Sequence, residues 1–385
     1  MEMASFGFNE IQQMLRVEAR RFAQKELAPG AKERVKMGEP SRGMRKKLAE
    51  IGWIRLNAPA KYGGQEIDRV SVGILVEEVS KVDMSLGLIP AGMTGMSKLM
   101  SMLPDEIQDE WFPPLLSGDK WVCYGITEPD TGSDIGAIQT RAVRDGNCYV
   151  ICGEKTPVSW GMISDAVVLV AKTDPTAKIR GISLLWVPVN LPGISRSPVS
   201  WMGQRYAAAA SILFDEVRLP AKYRIGEEGI GFYATMAFFE HMRSMLGIHC
   251  LAAAEASLDE AIGWAKQRLA FGRPIAKYEG ISFKIAEYHT LVEAAKLLCY
   301  RSLWLMDQGL PSIKESSMAK WLGVEVAVRA ITESMMIFGH VGYSEDSMVQ
   351  QRLRDVLGYK FGDGTDNIQK IVVVRETMGR EALPY

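Results

Sequence analysis

The chain has 385 residues, a length that accommodates two or three domains with substantial cores. Apolar residues make up 47% and charged residues 24%, and 45 Lys and Arg balance 46 Asp and Glu, so neither a nucleic-acid-binding surface nor an acidic tail is predicted. No run of about eighteen apolar residues occurs, and residues 1–15 lack the basic start and apolar core of a signal peptide. We expect a soluble protein without a membrane span, located in the cytoplasm, or in the mitochondrial matrix of a eukaryote.

Five cysteines are scattered along the chain, at Cys123, Cys148, Cys152, Cys250 and Cys299. Cys148 and Cys152 form one close pair, but no second pair lies at the spacing of a zinc site. The sequence therefore predicts reduced thiols in a reducing compartment and no metal.

Helical periodicity dominates the first third of the chain. Apolar residues recur at helical spacing from Asn9 to about Leu27, where a Pro-Gly pair ends the run. Further helices are predicted over 44–51, 70–82 and 107–116. Residues 1–120 are therefore predicted to form a helical N-terminal domain.

Short β-branched or apolar runs replace this pattern in the middle third. Turn sequences such as Asp145-Gly146 and Pro192-Gly193 bound them. The predicted strands are 148–151, 166–171, 182–187 and 211–217. Residues 121–230 are therefore predicted to form an antiparallel β domain.

Helical periodicity returns after Gly231 and persists. The predicted helices are 232–270, 281–307, 313–338 and 349–357. Residues 231–385 are therefore predicted to form a C-terminal helical bundle. An order of helices, strands and helices argues against alternating βαβ units, and so against a doubly wound nucleotide-binding sheet.

A small acid between two glycines lies near the C-terminus. Asp363 is flanked by Gly362 and Gly364, and the bare backbone on both sides leaves room for a ligand. Asp363 is therefore our first candidate for chemistry. The alternative is a helix N-cap, in which Asp363 or Thr365 accepts backbone N–H bonds at the start of the helix that follows.

Hydroxyls, acids and two glycines are concentrated in the eleven residues YGITEPDTGSD, at 124–134. Such a loop can present N–H groups and hydroxyls to a polar cofactor edge or a phosphate, or it can bind nothing. It matches neither the GxxxxGK[ST] loop nor the GxGxxG fingerprint.

Five motifs, in order, resemble those of acyl-CoA dehydrogenases. The family's TEPxxGSD signature resembles YGITEPDTGSD, and the other four matches are GEKTPVSWG at 153–161, FDEVRLPA at 214–221, RLAFGRPI at 268–275 and FGDGTDNIQKIVVVRE at 361–376. The resemblance spans roughly residues 5–380. It implies a mainly α fold with a central β domain: a helical N-terminal domain, a middle antiparallel β domain and a C-terminal four-helix bundle. It also implies bound FAD and a homotetramer.

The chemistry that the resemblance implies begins with a carboxylate base. In this family the base removes the α-proton of an acyl-CoA thioester while the β-hydrogen leaves as hydride to flavin N5, giving a trans-2-enoyl-CoA. Asp363 matches the base, and its backbone N–H, with a flavin hydroxyl, would polarise the thioester carbonyl. General-base catalysis contributes typically about 10²–10⁴-fold, so polarisation must supply much of the remainder. The implied electron acceptor is an electron-transferring flavoprotein.

The resemblance also assigns binding positions. Those that match FAD contacts are Tyr124, Ile126, Thr127, Ser133, Ser159, Arg268, Phe271, Met336, His340, Thr365 and Asn367. Those that match substrate contacts are Ser133, Glu240, Arg243 and Gly364.

Ordinary structural roles are the alternatives for these positions. The 124–134 segment could be a hydrogen-bonded loop, and Ser159 a buried strand serine. Arg268 could be a helix-surface charge. Glu240 and Arg243, at i and i+3, could form an intrahelical ion pair worth a few tenths of a kcal/mol.

Two departures from the family pattern concern the base. Asp363 stands in place of Glu and is one methylene shorter, and a misplacement on the order of 1 Å can cost about a hundredfold in rate. Some members carry an alternative base on the long helix, at the position of Met242. The alternative base is therefore absent.

Two further departures lie at positions expected to meet the flavin. Pro157 replaces a flavin-covering Trp, with Trp160 three residues on as a candidate substitute. Met336 and His340 replace a Gln and a Gly. His340 could titrate near neutral pH and assist a proton transfer, or it could be a hydrogen-bonded helix-end histidine.

With Asp at the base position, the chain also resembles the enzymes of anaerobic aromatic degradation that act on cyclic acyl-CoAs. A ring at Cα occupies space that a linear chain leaves open, so a shorter base suits it. We therefore predict dehydrogenation of a short, branched or alicyclic acyl-CoA, such as cyclohexane- or cyclohex-1-ene-carboxyl-CoA. The alternatives are 1,4-elimination, enoyl-CoA reduction or desulfination on the same fold, or a non-catalytic FAD- or CoA-binding scaffold subunit.

Overall fold

The computed structural model describes residues 7–39 and 41–383. Residues 1–6, part of the segment used to exclude a signal peptide, lie outside the described residues. The helices are α1 Glu10–Phe22, α2 Ala31–Arg34, α3 Arg42–Glu50, α4 Arg69–Ser80, α5 Met84–Gly87, α6 Ile89–Met100, α7 Asp105–Leu116, α8 Gly231–Gln267, α9 Glu279–Asp307, α10 Ile313–Phe338, α11 His340–Tyr343, α12 Met348–Gly358 and α13 Asp366–Met378. The strands are β1 Val122–Gly125, β2 Arg141–Asp145, β3 Cys148–Val158, β4 Ala166–Lys172, β5 Ile182–Pro188, β6 Ile194–Pro198, β7 Ala210–Pro220, β8 Arg224–Ile225, β9 Leu269–Ala270 and β10 Arg273–Pro274.

The chain folds into two compact units. The helical unit comprises Met1–Glu33, Ile67–Ala91 and Glu240–Tyr385, and the sheet unit comprises Arg34–Glu66 and Gly92–Phe239. The predicted order of helices, strands and helices is confirmed. No helix in the described ranges is long and apolar enough to cross a membrane.

The first helix is set by its cap and its buried stripe. The Asn9 side chain accepts the N–H of Gln12 at 2.9 Å, and the Gln12 side chain accepts the N–H of Asn9 at 3.1 Å, a capping box. Ala19, Ala23 and Leu27 are buried at intervals of four residues. The predicted helix over 9–27 is confirmed, with a π-helical final turn at Ala23–Leu27.

Sequence periodicity did not predict α6, because Pro90, Gly92 and Gly95 interrupt its apolar pattern. Packing explains the glycine at position 95. A Cβ at Gly95 would lie 2.6 Å from a ring carbon of Phe238, so only glycine allows that aromatic ring to approach the helix backbone.

The eight-stranded sheet has the order β6-β7-β3-β2-β4-β5-β8, with β1 paired to β4. Its pairings are antiparallel apart from β1 with β4 and a single residue pair of β2 with β4, which are parallel. Parallel pairing requires a long crossover, and the chain between β1 and β4 supplies one. The sheet is therefore predominantly, but not wholly, antiparallel.

Strand β3 continues seven residues beyond the predicted strand 148–151. Gly153 and Pro157 hid the extension, since both residues are unfavourable in strands. The pairing of β3 with β7 shifts register at Ile151/Gly153 and again at Lys155/Val158. These irregularities carry the strand to Val158, so that Ser159 follows directly from its end.

A buried ion cluster joins α1, α4 and α9 in the helical unit. Glu77 is 1% exposed, and its carboxylate lies 3.1 Å from Arg16, 3.2 Å from Lys81 and 3.3 Å from Lys296. The Tyr300 hydroxyl donates to it at 2.5 Å. Burial by itself raises the pKa of Glu77, but the surrounding cations outweigh this effect and lower the pKa to about 2.

We predict that Glu77→Gln destabilises the protein at pH 7 and less so at pH 3. The pKa of Glu77 in the folded chain is depressed below its ordinary value of 4.5, so its stabilisation is present above pH 4.5 and is lost as the pH falls towards 2. The shift corresponds to about 3 kcal/mol at pH 7. Guanidinium unfolding followed by circular dichroism at both pH values measures the difference.

Glu18→Gln is the control for this experiment. Glu18 forms an exposed pair with Arg21, so its loss should change the free energy of unfolding by less than about 1 kcal/mol. A Glu77→Gln deficit of equal size at pH 7 and pH 3 would contradict the role assigned to the carboxylate.

Candidate functional site

The loop before the last helix presents Asp363. The hydroxyl of Thr365 accepts the N–H of Ile368 at 3.3 Å and caps α13, so the N-cap is Thr365 and not Asp363. Asp363 has a φ of 53° and Gly364 a φ of 91°. A left-handed aspartate is uncommon and must be held by its surroundings.

Two buried side chains tie down the carbonyls of this loop. Lys320 Nζ on α10 donates to the Gly364 carbonyl at 2.7 Å. Gln369 Nε2 on α13 donates to the carbonyls of Asp363 and Gly364, both at 3.1 Å. Gly364 has a φ of 91°, which L side chains rarely adopt, and a Cβ there would also displace Gln369 Nε2, 2.6 Å away, so the position favours glycine. The backbone N–H of Asp363, by contrast, has no acceptor within the described ranges and is free to bind a ligand.

The surroundings of Asp363 make its carboxylate a stronger base. The side chain is half-buried, and burial raises its pKa above the ordinary value of 3.8. The cations Lys320 and Arg243 oppose this effect without reversing it. A carboxylate with a raised pKa is better matched to accepting a proton.

Arg243 reaches the same region from α8. It is buried, its Nε–H has no hydrogen-bond partner in the described structure, and burial lowers its pKa while Asp363 and Glu240 oppose that effect. Glu240 Oε1 accepts the Ser312 hydroxyl at 2.5 Å. Among the ion pairs that the structure describes, none joins Glu240 to Arg243, so the ordinary intrahelical pair is not formed. Met242, beside Arg243, is buried and supplies no base.

A buried ion pair fixes the 124–134 segment of the sheet unit. Lys155 on β3 donates to the Ile126 carbonyl at 2.7 Å and to Glu128 Oε1 at 2.8 Å. Glu128 also accepts the N–H groups of Gln139 at 2.5 Å and Thr140 at 2.9 Å. Burial lowers the pKa of Lys155 to about 8, against the opposing charge of Glu128. These bonds hold Ile126 and Glu128 of the segment against β3 and the chain at 139–140.

The fixed loop leaves neutral hydroxyls open. The N–H of Thr156 donates to the Thr127 carbonyl at 2.8 Å, which joins the two motifs of the sheet unit. The hydroxyls of Thr127, Ser133 and Ser159 have no partner within residues 7–39 and 41–383, and the two serines are exposed. Ser159 is therefore not a buried strand serine. Uncharged donors of this kind fit a polar ring edge that carries both acceptors and N–H groups.

Two aromatic residues of the sheet unit have different environments. The Tyr124 hydroxyl is 3.0 Å from Thr235 Oγ1, and its ring stacks on Phe238 with centroids 4.9 Å apart, so Tyr124 is engaged in packing. Burial raises its pKa. Trp160 has a φ of 62° and packs edge-on against Trp121, and its indole N–H has no partner in the described chain.

The remaining sequence candidates lie on exposed surfaces of the helical unit. Phe271, with a φ of 50°, is 97% exposed in the β9–β10 hairpin, and Arg268 before it is also exposed. Met336 is exposed in the last turn of α10, His340 is exposed at the start of α11, and Asn367 is exposed in the first turn of α13.

Sequence reasoning missed the residues that hold the two loops. It identified Asp363, Thr127 and Ser159 but assigned no role to Lys320, Gln369, Lys155 or Glu128. A signal exists for Lys320, because it shares helical spacing with Ser316, Gly323 and Ala327, all on the buried face of α10. A lysine on a buried face needs a partner. The five cysteines are free thiols, and no group of three potential metal ligands occurs in the described chain.

Comparison with known proteins identifies the class that this fold and these loops define. The N-terminal, middle and C-terminal domain profiles of acyl-CoA dehydrogenases match residues 9–119, 123–217 and 229–378. The chain therefore belongs to the acyl-CoA dehydrogenase family of FAD-dependent oxidoreductases.

Similar proteins cover nearly the whole chain. The probable acyl-CoA dehydrogenase YngJ of Bacillus subtilis is 34% identical, covering 97% of this chain and 100% of that protein. The 3-(aryl)acrylate reductase of Clostridium sporogenes is 33% identical, covering 95% and 98%. The solved structure of butyryl-CoA dehydrogenase from Megasphaera elsdenii superposes with a TM-score of 0.90 at 30% identity, covering 96% and 98%.

We predict that Lys155→Met destabilises the protein by about 3–5 kcal/mol, because it leaves the Glu128 carboxylate buried without its cation. Guanidinium unfolding measures the loss. The double variant Lys155→Met/Glu128→Gln should recover part of it, since no uncompensated charge remains.

Lys222→Met is the matched control. The pair of Lys222 with Glu106 is exposed on both sides, so the free energy of unfolding should change by less than about 1 kcal/mol. Equal effects of Lys155→Met and Lys222→Met would show that the buried pair does not hold the loop.

Proposed function

We propose that this oxidoreductase dehydrogenates an acyl-CoA thioester, with Asp363 as the base that removes the α-proton. One observation supports this assignment above the others. Asp363 combines a half-buried carboxylate of raised pKa with a free backbone N–H, in a loop whose carbonyls are held by buried donors. One residue can thus accept a proton and donate a hydrogen bond to the thioester carbonyl.

The steps assigned to this chain's residues follow from those contacts. FAD, when bound, supplies the acceptor for the β-hydrogen. The carboxylate of Asp363 takes the α-proton, and the Asp363 N–H stabilises the negative charge that develops on the carbonyl oxygen. The cations of Lys320 and Arg243 oppose the rise in the pKa of Asp363 that burial causes, and so favour its ionised form.

The sheet unit is proposed to bind the flavin ring through Ile126, Thr127, Ser133 and Ser159. Its open neutral hydroxyls fit that task because a flavin edge carries both acceptors and an N–H. Ser133 is also proposed to contact the CoA arm. Tyr124 is proposed as a supporting contact, since its hydroxyl is engaged with Thr235.

Surface groups of the helical unit are proposed as further FAD contacts, in a homotetramer. Arg268 suits the FAD diphosphate, because its planar fork pairs with phosphate oxygens, and Phe271 suits the adenine of an adjoining subunit. The other proposed FAD contacts are Met336, His340, Thr365 and Asn367, and the other proposed substrate contacts are Glu240, Arg243 and Gly364.

The substrate is proposed to be a short, branched or alicyclic acyl-CoA, such as cyclohexane- or cyclohex-1-ene-carboxyl-CoA. The shorter base supports this choice, because a ring at Cα can occupy the space that the missing methylene leaves. We further propose domains at 1–120, 121–230 and 231–385, an electron-transferring flavoprotein as the acceptor, and a cytoplasmic location.

A second candidate function is reduction of an enoyl thioester on the same site. The relative in Clostridium sporogenes, whose name describes reduction of 3-(aryl)acrylates, favours it. In that direction FAD, when bound in its reduced form, would supply a hydride at Cβ, and protonated Asp363 would donate a proton at Cα. An experiment that supplies both saturated and unsaturated thioesters distinguishes the two directions.

We predict that Asp363→Asn lowers the rate at which acyl-CoA bleaches the flavin by about 10²–10⁴-fold, because an amide cannot accept the proton. Stopped-flow absorbance of the FAD-loaded protein measures it. Asp346→Asn, a change in an exposed acid of the same unit, should bleach at the wild-type rate. Full activity of Asp363→Asn with FAD bound would refute the base assignment.

We predict that Asp363→Glu shifts substrate preference from cyclic towards linear thioesters. The added methylene fills space that a ring at Cα would occupy, and one methylene changes discrimination by about tenfold or more. The ratio of kcat/KM for cyclohexanecarboxyl-CoA over butyryl-CoA, measured in both proteins, tests it. An unchanged ratio would remove the link between the short base and an alicyclic substrate.

A further inference from the structure

We propose that Lys320 is a positioning residue for the reaction: by holding the Gly364 carbonyl, it aims both the carboxylate and the N–H of Asp363. This inference rests on the proposed role of Asp363 as the base. It assigns a function to a residue of α10 that lies 43 positions before Asp363 in the sequence.

Lys320 is fully buried, which is unusual for a lysine. Its side chain is 0% exposed, on the face of α10 that packs into the helical unit. Its ammonium lies 2.7 Å from the Gly364 carbonyl and 3.6 Å from Asp366 Oδ1. Lysines are almost never fully buried unless paired, because an isolated ammonium loses its hydration. The loop before α13 supplies the compensating oxygens.

Lys320 acts together with Gln369 on two successive peptide groups. The Gly364 carbonyl accepts from both side chains, which uses both of its lone pairs, and the Asp363 carbonyl accepts from Gln369. These three bonds hold Asp363 and Gly364 in the left-handed region. Such backbone persists only where its surroundings over-determine it. The peptide N–H of Asp363 and the root of its side chain are thereby fixed in direction.

Lys320 also contributes charge to the base. The groups that act on Asp363 or on its neighbours are Lys320 from α10, Arg243, Glu240 and Cys250 from α8, and Asp366 and Arg375 from α13. Asp366 is shared, since its Oδ2 lies 3.2 Å from Lys360. Loss of Lys320 therefore removes one of the two cations that lower the pKa of Asp363, while Asp366 keeps a partner.

Lys320→Met is the principal test, because methionine keeps the length of the stem and removes the ammonium. With the loop released, the rate of flavin bleaching by a substrate acyl-CoA should fall about a hundredfold, with little change in KM, as expected for a displacement on the order of 1 Å. The acid limb of the profile of bleaching rate against pH should also move to higher pH, because loss of the cation raises the pKa of Asp363.

Two further variants separate geometry from charge. Lys320→Arg keeps a cation but not the fit of the ammonium, so it should lower the rate and leave the acid limb near its wild-type pH. Gln369→Met removes the neutral donor, so it should also lower the rate without moving the limb. These two variants keep the proposal testable if Lys320→Met fails to fold or to retain FAD.

Lys360→Met is the matched control. Lys360 contacts Asp366 and Glu325 but does not bond the Gly364 carbonyl, so both rate and pH profile should remain those of the wild type. Wild-type rate and profile in Lys320→Met, with only a lower melting temperature, would overturn the positioning role. Wild-type rates in both Lys320→Arg and Gln369→Met would also overturn it. Full activity of Asp363→Asn would instead overturn the proposed function, because that variant removes the carboxylate of the base itself.

Discussion

The hydrogen bond from the buried ammonium of Lys320 to the carbonyl of Gly364 is the constraint on which the loop carrying Asp363 depends. Without it, a left-handed aspartate beside a left-handed glycine would relax into more populated backbone regions. With it, and with Gln369 as the second donor, the loop carbonyls point into the protein while the N–H of Asp363 remains available. A short polar side chain thus gains a defined direction from groups on two helices.

The sheet unit uses the same physical device in a different loop. Lys155 is as fully buried as Lys320, and it holds the Ile126 carbonyl and the Glu128 carboxylate. In both places the cation compensates for burial by binding backbone and carboxylate oxygens of a segment that carries candidate ligand groups. The charges that fix the loops face inward. The groups left open, such as the Thr127 hydroxyl, are neutral and suited to a ligand.

The chain matches the family over nearly its whole length, yet it departs from the family pattern at the position proposed for the base. The domain profiles match nearly the whole chain, yet the residue proposed as the base is an aspartate, and Met242 stands where some members carry an alternative base. A shorter carboxylate tolerates less error in its placement, because it has one fewer torsion with which to adjust. The hydrogen bonds from Lys320 and Gln369 to the carbonyls of Asp363 and Gly364 are consistent with that requirement.

The sequence by itself determined the family, the order of helices and strands, and the candidate base, because ordered motifs and apolar periodicity are local properties of the chain. It also left open whether Asp363 or Thr365 caps α13, and only the structure decided for Thr365. The tertiary structure alone revealed the long bulged β3, the parallel pairing of β1 with β4, and the roles of the buried lysines. These features depend on contacts between residues far apart in the chain, such as the 44 positions that separate Lys320 from Gly364.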